Sequence, residues 1–127
     1  MEQIKSVVKA FVAGGDNHDI SLLETTLHPS FQNIQNGFFG EEGIFIFSKE
    51  QYIELVRSKK FGGSPRSIDF VSVENEDNIA NVKVVLESQH LRFFSTIICV
   101  FENAKWQVIS NIPKVEVKKT MSGVIQN

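Results

Sequence analysis

A single cysteine, Cys99, stands in the chain of 127 residues. One cysteine excludes an internal disulfide and a thiolate metal cluster. Its neighbours Ile97, Ile98, Val100 and Phe101 include no basic group to lower its pKa, so it reads as an inert buried thiol. An excess of charge of one sign is lacking as well. Thirteen Lys and Arg against fifteen Asp and Glu leave a formal net charge of −2, with a pI near 5.9. No basic field exists to hold nucleic acid or anionic lipid. No apolar run approaches the roughly 18 residues of a membrane helix. The opening, MEQIKSVVKAF, is too charged for a signal peptide and has no small-residue cleavage site. The expectation is a cytoplasmic protein with no nucleic-acid or membrane partner. The glycine clusters GGDNHD and FGGSP lack the spacing of a phosphate-binding loop. Polar aromatics are scarce too, with one Tyr and one Trp against eleven Phe. Such a chain lines its interior with rings that carry no polar handle.

What is present reads as one domain over 1–127, long enough for a real core. Ile4, Val7, Val8, Phe11 and Val12 recur at helical spacing, which predicts a helix over Glu2 to Ala13 stopped by Gly14-Gly15. A second helix starts at an Asp16 or Asp19 cap, buries Ile20, Leu22, Leu23 and Leu27, and ends before Pro29. Phe31 to Gln35 reads as a short strand. NGFFGEEG follows as a loop or hairpin, and Ile44 to Phe47 as a strand fragment. Ser48 and Gln51 form a capping box for a third helix, whose buried face carries Tyr52, Ile53, Leu55 and Val56. After Pro65 the period changes to two. Ser67 to Glu74, Ile79 to Ser88, Leu91 to Glu102 and Trp106 to Val117 predict a consecutive antiparallel meander. Residues 118–127 read as a flexible tail.

The expected class is therefore α+β: three N-terminal helices on a strongly curved, mainly antiparallel sheet that leaves a cone-like pocket. Leu91 to Glu102 is apolar on both faces, Phe93, Ile97, Cys99 and Phe101 on one and Phe94, Ile98 and Val100 on the other. One face packs on the helices, and a second copy of the chain is the simplest cover for the other.

The phrases FVAGGDNHDISLLETTLHPSF, SKEQYIEL, NIANVKVVLE and FFSTIICVFENAKWQVISNI resemble the nuclear transport factor 2-like superfamily, in its bacterial branch labelled lumazine-binding. The resemblance runs from about Val7 to Val117 and implies the polyketide cyclase/ketosteroid isomerase-like fold. The label is a family name, and no residue here points to flavin-type binding. Isomerase-like members of the superfamily use a tyrosine on the first helix, a carboxylate base near the end of the first strand, and a protonated aspartate on a late strand. The matching positions here are Phe11, Gln35 and Ile98. An enolate needs placed donors and proton transfer needs a titratable base, so an isomerase reading finds none of its groups.

Dehydratase- and cyclase-like members use His with Asp, which leaves His28, His90 and Asp69 as catalytic candidates. His28, in LHP, also fits a helix end, where imidazole meets the last carbonyls and the negative end of the dipole. His90 fits a solvated turn position, and Asp69 fits an outward place on a sheet edge. His18 lies in the polar DNHD turn and reads as solvated. The adjacent residues of DNHD do not converge as metal ligands, and no metal or cofactor is expected. Phe38 and Phe39, in a glycine-rich loop, read either as a cap on the cavity mouth or as loop anchors.

Two functions compete with a small enzyme built on His28, His90 or Asp69. One is a homodimeric domain that binds a small apolar or aromatic molecule. The other is an interaction module that uses the exposed sheet face. For the binding domain, the expected pocket lining is Phe11, Phe31, Gln35, Tyr52, Phe70, Phe94, Thr96, Ile98 and Asn111.

Overall fold

The computed structural model describes residues 1–118. The apolar stripe of α1, Glu2–Asp16, is buried at Ile4, Val8, Phe11 and Val12. The helix does not stop at Ala13 but continues through Gly14 and Gly15 to Asp16. Close approach explains Gly14 and, in the facing loop, Gly62. A Cβ on Gly14 would lie 2.7 Å from Leu23 Cδ2, and the backbone at Gly62 crosses directly over the Gly15 carbonyl. The short helix α2, Ile20–Thr26, is capped by Asp19, whose carboxylate accepts from the Leu22 amide at 3.1 Å.

The chain turns extended at once, into β1, Leu27–Phe38. This strand is longer than the stretch Phe31 to Gln35 because it is paired on both sides. It runs antiparallel to β2, Glu41–Ser48, and parallel to β6, Lys105–Val117. Pro29 falls where the β1–β6 register is irregular, between Leu27 and Gln32, so no ladder donor is missed. The hairpin turn Phe39-Gly40 has positive φ at both residues (48° and 84°), the two-residue geometry that matches strand twist. Helix α3, Lys49–Arg57, opens on the expected capping box, with the Gln51 amide donating to Ser48 Oγ at 3.2 Å and the Ser48 amide donating to Gln51 Oε1 at 2.9 Å.

After the loop 58–66 come β3, Ser67–Glu76, β4, Ile79–Glu87, and β5, Leu91–Glu102, which continue into β6 as an antiparallel meander. The six strands lie in the order β2-β1-β6-β5-β4-β3. Three helices thus pack on one mostly antiparallel sheet, and the sheet does not close into a barrel. Among the described residues no helix is long and apolar enough to cross a membrane. Lys118 is tied down, its amide to the His90 carbonyl at 2.8 Å and its Nζ to the Ser88 carbonyl at 3.1 Å. The remainder of the tail expected over 118–127 lies outside the described residues.

The parity of β5 differs from the expectation. Buried Ala80, Val82, Val84 and Leu86 stand directly opposite Cys99, Ile97, Ser95 and Phe93, and directly opposed residues share a face. Phe93, Ser95, Ile97 and Cys99 therefore face the helices. Phe94, Thr96 and Ile98 face outward, with Phe94 40% exposed. Both faces are apolar, so periodicity could not choose between them. The discriminating signal lay in β4, where Lys83 must point to water and pairs with Thr96.

Candidate functional site

Three rings fill the space directly beneath α1. Phe11, Phe31 and Tyr52 are all nearly fully buried, and their ring centroids lie 5.3 to 5.9 Å apart. The deep end of the expected cone is therefore packed rather than hollow. From Tyr52 the aromatic contacts continue outward through Phe61, 5.8 Å away, to Phe38, Phe47 and Phe45. Phe38, Phe45, Phe47 and Phe61 are half-buried. Phe39, at the hairpin tip, is 68% exposed and stacks edge-on against Phe38 at 4.6 Å. The Phe38–Phe39 pair thus forms the outer end of a continuous aromatic row that begins in the core.

A polar ladder lies beside this row. Asn33 stands opposite Phe47, and Gln35 opposite Phe45, so amides and rings share the inner face. Asn33 also neighbours Asn111 on β6. Asn111 Nδ2 donates to Asn33 Oδ1 at 2.7 Å, and Asn33 Nδ2 donates to Gln35 Oε1 at 2.9 Å. Asn33 and Asn111 are buried, while Gln35 reaches partly accessible space. Asn111 Oδ1 is buried and meets no donor among the described residues. Reversing all three amides would reverse the ladder and leave Asn111 Nδ2 in the same position. An unsatisfied buried polar atom costs about 1–3 kcal/mol, so this one calls for a partner beyond the described residues, a water or a ligand group.

A second polar group sits where α1 ends. Arg66 Nε donates to Asp16 Oδ1 at 2.7 Å, and the Arg66 amide donates to Asp16 Oδ2 at 3.1 Å. Both side chains are mostly buried, and the guanidinium lies 4.7 Å above the Phe93 ring. The Gly63 amide also donates to the Asp16 carbonyl, at 3.1 Å, so the loop 58–66 is strapped to the helix end. Burial pushes the Tyr52 hydroxyl up to about 12, with Arg66 opposing and Asp16 reinforcing the shift. His18, expected in solvent, is instead half-buried against Gly63 in a left-handed conformation, φ 50°.

The catalytic candidates do not converge. His28 lies in β1, not on a helix end. The Ser30 amide donates to its Nδ1 at 3.0 Å, and its Nε2 faces Glu102 Oε1 at 2.7 Å. The proton therefore sits on Nε2. The work foreseen for His28 falls to Lys49 and Gln107. Lys49 Nζ donates to the Glu24 and Leu27 carbonyls, and Gln107 Nε2 to those of Thr25 and Leu27. His90 is exposed beyond the opposite end of β5 from Glu102, and Asp69 is exposed on the outer face opposite Val85. Of the expected pocket residues, Phe11, Phe31 and Tyr52 form one cluster, and Gln35 and Asn111 meet through Asn33. Phe70 lies apart, under Lys5 of α1, with Nζ 5.4 Å from its ring centroid. Phe94, Thr96 and Ile98 belong to the outer face. The inner neighbours of Ile98 are Ile97 and Cys99, so no carboxylic acid stands there either. Burial pushes the Cys99 thiol up to about 12.

The family described as "Putative lumazine-binding" matches residues 1–112. No curated protein matches the chain. An NTF-2 like protein of unknown function from Silicibacter pomeroyi has the same fold, with a TM-score of 0.77 at 16% identity, covering 91% of this chain and 94% of that one. An NTF2-like protein from Cytophaga hutchinsonii reaches 0.70 at 20% identity, over 89% and 95% of the two chains. A protein of unknown function with a cystatin-like fold from Nostoc punctiforme reaches 0.73 at 15% identity, over 90% and 89%. With a family match across nearly all of its length, this chain belongs to the family described as "Putative lumazine-binding", and its three helices on an open six-stranded sheet have the fold of the NTF2-like proteins above.

Proposed function

We propose that the chain is a small-molecule-binding domain that holds a planar ligand between its aromatic row and its amide ladder. The observation that carries this reading is the buried Asn111 atom left without a partner, at the end of a ladder whose other end, Gln35, is accessible. Half-buried Phe38, Phe45, Phe47 and Phe61 offer ring faces beside it. A few fixed polar groups in an aromatic surround are the usual make-up of such a site. The family name supplies a probe of suitable chemistry, because lumazine is planar and carries adjoining N–H and carbonyl groups. Catalysis has no support in the arrangement, since His28, His90 and Asp69 stand far apart.

The domain works as a homodimer through the outer face of the sheet. Phe94, Ile112, Ile44 and Ile46 are 40–62% exposed there, and Ile34 and Ile98 are half-buried. A patch of this kind on two identical chains can cover itself about a two-fold axis. A stable pair should bury over about 1,000 Å² in total.

Native mass spectrometry of the purified protein, before and after adding lumazine, tests the binding reading. A retained small molecule, or a stoichiometric lumazine adduct lost in Asn111→Leu, supports it. A bare chain that takes up no lumazine, or an adduct unaffected by Asn111→Leu, contradicts it.

A further inference from the structure

We infer that Arg66, Tyr52 and the bare face of Gly15 form a receptor for the carboxylate of a small aromatic monoanion. The inference deepens the binding reading above and rests on it.

Arg66 is held rather than free. Asp16 takes its Nε and its backbone amide, and Phe93 lies beneath the guanidinium, so the planar fork has one orientation. Nη1 and Nη2 meet no acceptor among the described residues, although the side chain is only 15% exposed. Neither Nη is among the buried unpaired atoms, so the unspent edge of the fork faces accessible space from which an anion can approach. The free edge of the fork matches the two oxygens of a carboxylate.

Gly15 provides the space. A Cβ placed on it would lie 3.6 Å from Tyr52 Oη and 3.8 Å from Arg66 Nη2, with no closer atom. The hydroxyl and the guanidinium therefore flank a notch about the size of a methyl group, open because the helix carries no side chain there. The Tyr52 hydroxyl stays protonated at neutral pH, since burial pushes it up to about 12, and can donate.

Charge and shape narrow the ligand class. Asp16 already compensates Arg66, so one further negative charge is tolerable, whereas a dianion would crowd Asp16 in a poorly solvated place. The Tyr52 ring packs on Phe61 and Phe31, so whatever carries the carboxylate meets ring surfaces next. That surface favours an aromatic body over an aliphatic or phosphorylated one.

Calorimetric titration with benzoate and with its neutral isostere benzamide tests the inference. The wild-type protein should bind benzoate at least about tenfold more tightly, as charge-assisted hydrogen bonds in a buried site require. Gly15→Ala fills the notch at ordinary contact distance and improves helix propensity, so it should melt higher. It should nevertheless bind the two probes within about twofold of each other. Tyr52→Phe should lose part of the same preference. Equal binding of the two probes by wild type overturns the carboxylate site but leaves the pocket. Retention of the preference by Gly15→Ala, or displacement of benzoate by equimolar inorganic phosphate, overturns it as well. If neither probe binds, the carboxylate site is overturned, while the ligand-binding reading stands or falls with its own lumazine test.

Discussion

At the scale of single residues, burial and pairing decide what each ionisable group does. His28 is partnered by a 60% exposed Glu102, and such surface pairs are weak. His28→Gln should therefore cost about 1 kcal/mol or less, read by chemical denaturation. Cys99 and Tyr52 behave differently, because burial disfavours their charged forms, for Tyr52 more than the nearby Arg66 offsets. Each holds its proton more tightly folded than unfolded, with values rising from 9.0 and 10.0 respectively to about 12. Their contribution to stability is thus complete below about pH 9 and is lost as pH rises toward 12. Melting temperatures should fall across that window, and Cys99→Ser should flatten the lower part of the fall. Consistent with its raised value, Cys99 should resist thiol reagents at pH 8 until the protein is denatured.

At the scale of elements, the amide ladder couples β1 to β6, and the ring cluster couples both helices and sheet. Asn111→Leu alone should destabilise, because it leaves Asn33 Oδ1 buried without a donor. Asn33→Leu with Asn111→Leu removes both partners and should recover most of that loss in a double-mutant cycle. Phe11→Ala opens a hole among Phe31 and Tyr52 and should cost about 3–5 kcal/mol, since the site is packed rather than hollow. Most elements were legible in local chemistry. The Ser48 capping box, the Asp19 cap and the alternation of β3 to β6 each rest on near neighbours. The glycine pair of α1 was misread as a helix stop because the reason for Gly14 is tertiary: Leu23 packs where its side chain would be. The face of β5 was misread because both faces are apolar. Phe45 and Phe47 share a face by simple alternation with Ile44 and Ile46, and Asn33 shares Gln35's face by the same rule. Those members of the site were readable in principle. Arg66 was not, since its partner Asp16 lies fifty positions away. The pairing of His28 with Glu102 is equally non-local.

At the scale of the whole molecule, the helices and the inner sheet face form a filled core that loosens toward the β1–β2 hairpin, while the outer face is apolar and not covered by any of the described residues. Size-exclusion light scattering should report a dimer at micromolar concentration, and Phe94→Glu, at the outer face, should give a folded monomer. A wild-type monomer would contradict the dimer. The central claim is that the ladder from Gln35 to Asn111 exists to meet a ligand. Its most direct measurement is nuclear magnetic resonance of the side-chain amide groups of Gln35, Asn33 and Asn111 during titration with lumazine. The account predicts saturable shifts of all three, with the aromatic protons of Phe38, Phe45 and Phe61 moving at the same midpoint. Unmoved amide resonances at saturating lumazine, in a protein that remains folded, would contradict it.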